Sequence, residues 1–285
     1  MITCNLMGGL GNQLFQIFTT IAYAIRSKNA FMFANIEKMG GGECTLRYTY
    51  WNTLLSKLKP FLKNKEEFPN LNIIKEERFH YTPIDSSLIC KKDVCLCGYY
   101  QSYKYFQEYF NTICKIIQLE DMKQKILQKF NYNSNFLDNS ISLHFRFGDY
   151  KKLQYCHPLM NYFYYEDALQ YIKDTTIELT DKNILYFCEE EDIEQVEQII
   201  HNLKAKFNNF HFTRVSNDLE DWQQMLLMSC CHYNVIGNSS FSWWGAYFNN
   251  NPTKIVCYPS IWFGPTISHD TKDLCPTEWI KISVK

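Results

Sequence analysis

From residue 140 to its end the chain alternates strand-length apolar runs with helix-length amphipathic ones. No other feature narrows the possible folds as much. Strands are predicted at Ile141–Arg146, Asn183–Cys188, His211–Arg214, Asn234–Gly237 and Lys254–Tyr258. Helices are predicted between them, near Tyr162–Lys173, Asp192–Lys206, Asp221–Cys231 and Phe241–Asn249. Strict β/α alternation specifies a parallel, doubly wound sheet. Ligands of such sheets sit at the C-terminal ends of strands, beside helix N-termini. The residues that follow each strand are therefore the ones to read for chemistry.

The N-terminal half opens in the same way. Ile2 to Leu6 reads as a strand, and Gly8, Gly9 and Gly11 make a tight loop. Leu14, Phe15, Phe18, Ile21, Ala22 and Ile25 then recur at helical spacing, and Ala30 to Ala34 reads as a second strand. From about Asn35 to Asp93 the periodicity is poor. That is too long for one loop, so it predicts irregular structure near a working surface. Val94 to Tyr100 reads as a further strand and Tyr103 to Leu119 as a helix. The polar stretch "NYNSNFLDNS" is the best boundary, giving domains 1–138 and 139–285. The fold class is α/β, and the two halves suggest two Rossmann-like domains facing a cleft.

Composition removes several function classes. Hydrophobic residues make up 46% and charged residues 21%, so the chain is globular rather than disordered. Net charge is -1 with no long basic block, which argues against nucleic acid as a partner. Apolar runs break before the length of a membrane span, and the N-terminus lacks the basic and apolar regions of a signal peptide. A soluble, cytoplasmic protein is expected. The 12 cysteines include no C-x-x-C and no zinc-like cluster, which suits reduced, mostly buried thiols.

Four stretches carry possible chemistry. In "MGGLGNQLFQ", Gly9 and Gly11 let a ligand approach the backbone at a helix N-terminus, where an anion is favoured, and Asn12 and Gln13 place paired amides there. The spacing fits neither the dinucleotide G-x-G-x-x-G nor a P-loop. In "ISLHFRFGDYKK", His144 and Arg146 share one strand face, while Leu143, Phe145 and Phe147 share the other. Arg146 falls at the strand's C-terminal end, where a planar guanidinium suits a phosphate or pyrophosphate. A structural Arg146–Asp149 pair is the alternative. In "VIGNSSFSWWGAYF", Asn238, Ser239, Ser240 and Ser242 crowd a helix start. In "LYFCEEEDIEQ", Glu189 to Asp192 follow a strand directly, either to take ribose hydroxyls or base N–H groups or simply to favour a helix's first turn. No two Asp residues are separated by one residue, so the metal-holding D-x-D pair is missing.

Taken together these residues resemble the α-1,2-fucosyltransferase family, glycosyltransferase family 11. "GGLGNQLFQ" is similar to its first motif, "HFRFGDY" to its H-x-R-R-G-D-Y motif, and "NSSFSWWGAYF" to its S-x-S-W-W-x-A motif. The stretches "GYYQSYKYF", "YYEDAL", "LYFCEEED", "DWQQMLLMSCCHYNVI" and "EWIKI" fall in the family's order. The resemblance implies a GT-B-like fold, with an acceptor-side domain at 1–138 and a GDP-fucose-binding domain at 139–285. It implies an inverting, metal-independent enzyme with GDP-β-L-fucose as donor, a glycan as acceptor and no cofactor. Carried over by position, Arg146 binds the donor pyrophosphate, and Asn12 with Gly9, Gly11 and Gln13 lines the same cleft. Asn238, Ser239, Ser240 and Phe241 stand at the nucleotide-phosphate end, with Glu190 as a further donor contact. His144 and Asp149 belong to the second motif, and Asp149 is the candidate base, with Glu43 or Asp85 as alternatives. The chain departs from the family at Phe147, where a second arginine is usual. Readings that remain beside this one are transfer to another linkage and a GDP-sugar or glycan binder without turnover.

Overall fold

The structure, a computed structural model, describes all residues except 42–43, 90–92 and 177–180. The chain divides into two compact units, Met1–Met122 with His269–Pro276, and Lys123–Ser268 with Thr277–Lys285.

In the first unit β1 (Ile2–Cys4) passes through a glycine turn into α1 (Leu10–Ser27). Leu10, Leu14, Phe15, Ile17, Phe18 and Ile21 form its buried stripe. Lys28, in the left-handed region at φ 55°, ends the helix. There follow β2 (Phe33–Ala34), the hairpin strands β3 (Lys38–Gly41) and β4 (Cys44–Tyr48), β5 (Leu62–Lys63), β6 (Asn72–Lys75), the short α2 (Ser86–Ile89) and β7 (Val94–Cys97). The main sheet has order β1-β7-β6 and is parallel, and β2 and β5 form a second parallel pair. The stretch 35–93 therefore holds real elements. Its strands β3 to β6 are only two to five residues long, too short for a period to show.

The helix predicted at Tyr103–Leu119 is broken. Two 3-10 turns, Tyr103–Tyr105 and Gln107–Tyr109, lead into α3 (Phe110–Ile116), and a left-handed Gln118 separates it from α4 (Leu119–Lys129). The break at Phe106 (φ -133°, ψ -4°) buries both Tyr105 and Phe106. The Phe106 ring then packs 5.9 Å from Phe15 and 5.6 Å from Phe18. Aromatic packing has overridden helical continuity.

The second unit holds α5 (Ser134–Leu137), β8 (Ser140–His144), α6 (Tyr162–Thr175), β9 (Lys182–Phe187), α7 (Ile193–Lys206), β10 (Phe210–Arg214), α8 (Asp221–Cys230), β11 (Tyr233–Val235), α9 (Ser240–Tyr247), β12 (Val256–Pro259) and β13 (Ile280–Ile282). Its sheet has order β10-β9-β8-β11-β12-β13, with every neighbouring pair parallel. The alternation seen in the sequence is the fold. The short α5 and β13 were not predicted from the sequence. Every residue of β8 is buried, as both faces of a parallel sheet require.

The units do not meet at 138/139. Residues 123–138 go with the second unit because Lys123 Nζ donates to the Phe248 carbonyl at 2.7 Å and Leu137 packs with Leu185 and Phe187. Residues 269–276 return to the first unit. There Asp273 accepts from the Ser102 hydroxyl at 2.6 Å through its carbonyl and pairs with Lys104 at 2.5 Å, and His269 stacks on Phe79 at 4.7 Å. Among the described residues, no helix is long and apolar enough to cross a membrane.

Candidate active site

In the second unit the strand order reverses direction between β8 and β11. At such a switch point the connections leave the sheet on opposite faces, and a crevice opens outside the strands' C-terminal ends. The loops that follow β8 and β11 leave the sheet beside that crevice. The predicted strand end at Arg146 lies a little beyond the observed one. β8 closes at His144, and Phe145 adds one further ladder bond, from its N–H to the Phe187 carbonyl at 2.9 Å.

The alternation past the strand end sorts the next residues. Leu143, Phe145 and Phe147 all enter the core; Phe145 packs 4.2 Å from the Tyr165 ring and meets Phe147 edge-on at 6.0 Å. Phe147 is 1% exposed, so the position where the family usually has an arginine is an apolar core position in this chain. Burial of one such side chain contributes roughly 2–3 kcal/mol. His144 and Arg146 instead converge on Gly237, just past β11. A Cβ built on Gly237 would lie 3.5 Å from Arg146 Cβ and 3.7 Å from His144 Nδ1.

Arg146 is the centre of a charged cluster. One guanidinium nitrogen donates to Asp149 Oδ1 at 2.5 Å and the other to Glu189 Oε1. The guanidinium also lies 4.8 Å from the Tyr150 ring centroid, with the His157 ring stacked on Tyr150 at 4.5 Å. Burial alone would lower its pKa, but Asp149 and Glu189 outweigh that and push it up, so the cation is fixed. Its side chain is 19% exposed, while those of Asp149 and Glu189 are 47% and 49% exposed. The cation is thus held by carboxylates that are more exposed than it is. Beneath it the turn is tied down by Asp192, a fully buried acid whose Oδ2 accepts from Gly148 N–H at 2.7 Å and whose Oδ1 pairs with Lys151 at 2.5 Å. Gly148 takes φ +38°, and a Cβ there would lie 2.7 Å from Glu189 Oε2. Glycine is required by both the backbone and the close carboxylate.

His144 is buried, and its Nδ1 has no hydrogen-bond partner among the described residues. Burial, and then the neighbouring Arg146, pull its pKa down to about 3, so it is neutral across the physiological range. Its ring lies 5.5 Å from Phe241 in the first turn of α9. Ser239 caps that helix, its hydroxyl accepting from the Phe241 N–H at 3.3 Å, and Ser240 and Phe241 are partly exposed beside it. Asn238 departs from the expectation of a donor contact. It is 1% exposed, and its Nδ2 is spent on the carbonyls of Pro158 and Trp262 at 3.0 and 3.1 Å. Asn238 Nδ2 thus ties two loops beside α9, while its buried Oδ1 has no hydrogen-bond partner among the described residues.

Glu190 is exposed in a 3-10 turn, and its neighbour Glu189 meets Arg146. Glu189 keeps extended backbone (φ -70°, ψ 153°) directly after β9, which returns its side chain to the end of the neighbouring β8. Sequence reading named the run Glu189 to Asp192 without a role toward Arg146, and it missed Tyr150 and His157. The run of acids after a strand was the available signal, but which of them turns inward depends on where the 3-10 turn begins.

The glycine turn of the first unit is built differently. Gly8 has φ +75°, and a Cβ there would lie 2.5 Å from Asn12 Nδ2. Gly9, the N-cap of α1, has open space around its missing Cβ, and Gly11 is buried inside the helix. Asn12 Oδ1 accepts from Gln101 at 2.7 Å. Gln13 does not present its amide outward. It is 0% exposed, and its Nε2 donates to the carbonyls of Gly8 at 3.1 Å and Tyr48 at 2.9 Å. Of the alternative acids, Asp85 is held by the Ser87 N–H at 2.8 Å, and Glu43 lies outside the described residues.

Comparison with known proteins supplies the family. The model of the family described as glycosyl transferase family 11 matches residues 1–283. The chain belongs to glycosyl transferase family 11. It is 26% identical to an alpha-1,2-colitosyltransferase of Escherichia coli, over 99% of each chain. It is 27% identical to the O-antigen biosynthesis glycosyltransferase WbnK of Escherichia coli, over 99% of this chain and 100% of that protein. Among solved structures it resembles a mutant of Arabidopsis thaliana FUT1 in complex with GDP (TM-score 0.50, 10% identity, 90% of this chain and 70% of that one). It also resembles the Escherichia coli ADP-heptose lps heptosyltransferase II (TM-score 0.53, 13% identity, 99% and 89%). These likenesses show the fold: this family 11 glycosyltransferase is α/β and GT-B-like, with a Rossmann-type parallel sheet in each unit.

Proposed function

We propose that the chain moves L-fucose from GDP-β-L-fucose to a glycan hydroxyl, galactose O2 in an α-1,2 linkage, with inversion at the anomeric carbon and without a metal. The observation that carries this is Arg146, a fixed and partly exposed cation at the switch-point end of the central strand. The family and the α-1,2 linkage in the name of one relative support it, as does the GDP bound by the Arabidopsis thaliana structural neighbour.

As it stands the cluster of Arg146, Asp149 and Glu189 carries one positive and two negative charges. A diphosphate binds there by replacing a carboxylate on the guanidinium, an exchange of one charge-assisted pair for another. The acceptor hydroxyl then attacks fucose C1 from the face opposite GDP. Negative charge grows on the departing diphosphate, and Arg146 stabilises it where it develops. Asp149, released from Arg146, takes the acceptor proton as general base. No D-x-D pair exists to hold a metal, and no step in this scheme uses one.

The test is incubation with GDP-fucose and galactose-terminated oligosaccharides, with and without EDTA, followed by NMR of the product linkage. An α-1,2-fucoside formed equally in EDTA is expected. Tight GDP binding with no transfer would leave a binding protein, and loss in EDTA would overturn metal independence. The colitosyltransferase relative favours a second donor, GDP-colitose, whose sugar is fucose without the 3-hydroxyl. Competition between the two donors decides which is used.

A further inference from the structure

A 3-10 turn from Gly148 to Lys152 follows β8, and its residues engage two different partners. Asp149 and Tyr150 meet Arg146. The Asp149 carboxylate accepts from the guanidinium at 2.5 Å, and the Tyr150 ring centroid lies 4.8 Å from it. The Tyr150 hydroxyl also donates to the Asn238 carbonyl at 3.3 Å, in the loop that leads into α9. Gly148 and Lys151 meet Asp192 instead. The Gly148 N–H donates to Asp192 Oδ2 at 2.7 Å, and the Lys151 ammonium pairs with Asp192 Oδ1 at 2.5 Å. One buried carboxylate thus grips the turn on either side of the two residues that contact the cation.

Asp192 is the N-cap residue of α7, where a carboxylate ordinarily accepts N–H groups of its own helix, yet its side chain makes no capping bond there. Its oxygens go to the neighbouring turn. That turn has no side-chain cap of its own, since Phe147, which precedes it, is an apolar core residue. Gly148 takes φ +38° and is buried, so without Asp192 its N–H would lose its acceptor away from water. The hydrogen bond to Asp192 pushes the Lys151 pKa up, so the ammonium stays charged. Arg146 is fixed independently of this grip. The neighbouring Phe145 N–H bonds the Phe187 carbonyl at 2.9 Å, and Glu189 holds the guanidinium from the end of β9. Loss of the grip therefore releases Asp149 and Tyr150 while the cation stays in place.

We infer that Asp192 and Lys151 are positioning residues, which together hold the Gly148–Lys152 turn so that Asp149 stands beside Arg146 when the acceptor proton is taken. The inference rests on the proposed transfer, with Asp149 as its base. Steady-state kinetics of Lys151→Met and Asp192→Asn test it, each alone and in an Asp149→Asn background. Lys151 has a side chain 36% exposed, so its variant is expected to fold. Lys151→Met is expected to lower kcat about tenfold, with the KM for GDP-fucose held within about twofold. In the Asp149→Asn background it should cost almost nothing more, because it acts through the residue already lost. A merely structural role would lower both backgrounds by the same factor. Equal losses in both, or an unchanged kcat in both Lys151→Met and Asp192→Asn, would overturn the inference. Wild type that transfers no fucose would defeat the proposed reaction, and hydrogen exchange then decides the grip on its own. Faster exchange at 148–152 in Lys151→Met, with β8 and β9 unchanged, would support it; unchanged exchange at 148–152 would overturn it.

Discussion

The first strand of each unit is buried and parallel, and its C-terminal end carries polar residues, β1 with its amides and β8 with its charges. After β1 the amides face inward. Gln13 binds the carbonyls of Gly8 and Tyr48, and Gln16 receives the Met7 N–H at 3.0 Å and donates to the Gly98 carbonyl at 3.1 Å. After β8 the charges surround a cation whose partners are half exposed. The same position in two Rossmann-type units thus carries different polar arrangements. After β1 the Gln13 and Gln16 amide nitrogens are held by backbone carbonyls, and after β8 the Arg146 cation is held by half-exposed carboxylates.

This contrast can be broken by substitution, and the largest effect is expected in the core beneath the charged turn. Phe147→Ala should cost about 3–5 kcal/mol of stability, read from chemical denaturation, because it empties a core site. Phe147→Arg should not restore an arginine pair; it should destabilise at least as much, since the position is inside. Next comes Arg146→Ala, which should lower turnover about 100- to 1000-fold while the fold persists. Gln13→Ala should show the reverse pattern: a stability loss of about 1–3 kcal/mol from two carbonyls left without their donor, with turnover of the folded enzyme much less affected. A turnover loss in Gln13→Ala matching that of Arg146→Ala would erase the distinction.

The smallest effect concerns pH. His144 has a folded pKa of about 3, below its ordinary 6.5, so the folded state resists protonation that the unfolded state accepts. Stability from this group is full above about 6.5 and is lost as pH falls toward 3. At pH 5 the loss is about 2 kcal/mol. Comparing wild type with His144→Gln in melts at pH 7 and pH 5 reads this directly: the variant should lose less on acidification. Equal losses would mean that His144 is not held neutral.

The alternation after residue 140 made the doubly wound sheet legible, because each strand there is flanked by a helix long enough to show a period. In the first unit the strands of 35–93 are too short for that, and the helix read at Tyr103–Leu119 is interrupted because Phe106 breaks it to pack on α1. Arg146 and Asp149 were legible from their place at a strand end. Which acid of the run Glu189 to Asp192 returns to the sheet was not legible, because one residue of extended backbone decides it. Gln13 and Asn238 looked like ligand groups since amides at helix starts serve ligands and loop carbonyls equally well. Only the partner atoms tell them apart.

The central claim is that Arg146 gives up a carboxylate to hold the donor's diphosphate, and a crystal structure with GDP tests it most directly. The account predicts diphosphate oxygens within hydrogen-bond distance of the Arg146 guanidinium, with Asp149 or Glu189 moved off it and Gln13 still on the Gly8 and Tyr48 carbonyls. A diphosphate bound elsewhere, with Arg146 still clasped by both carboxylates, would contradict it.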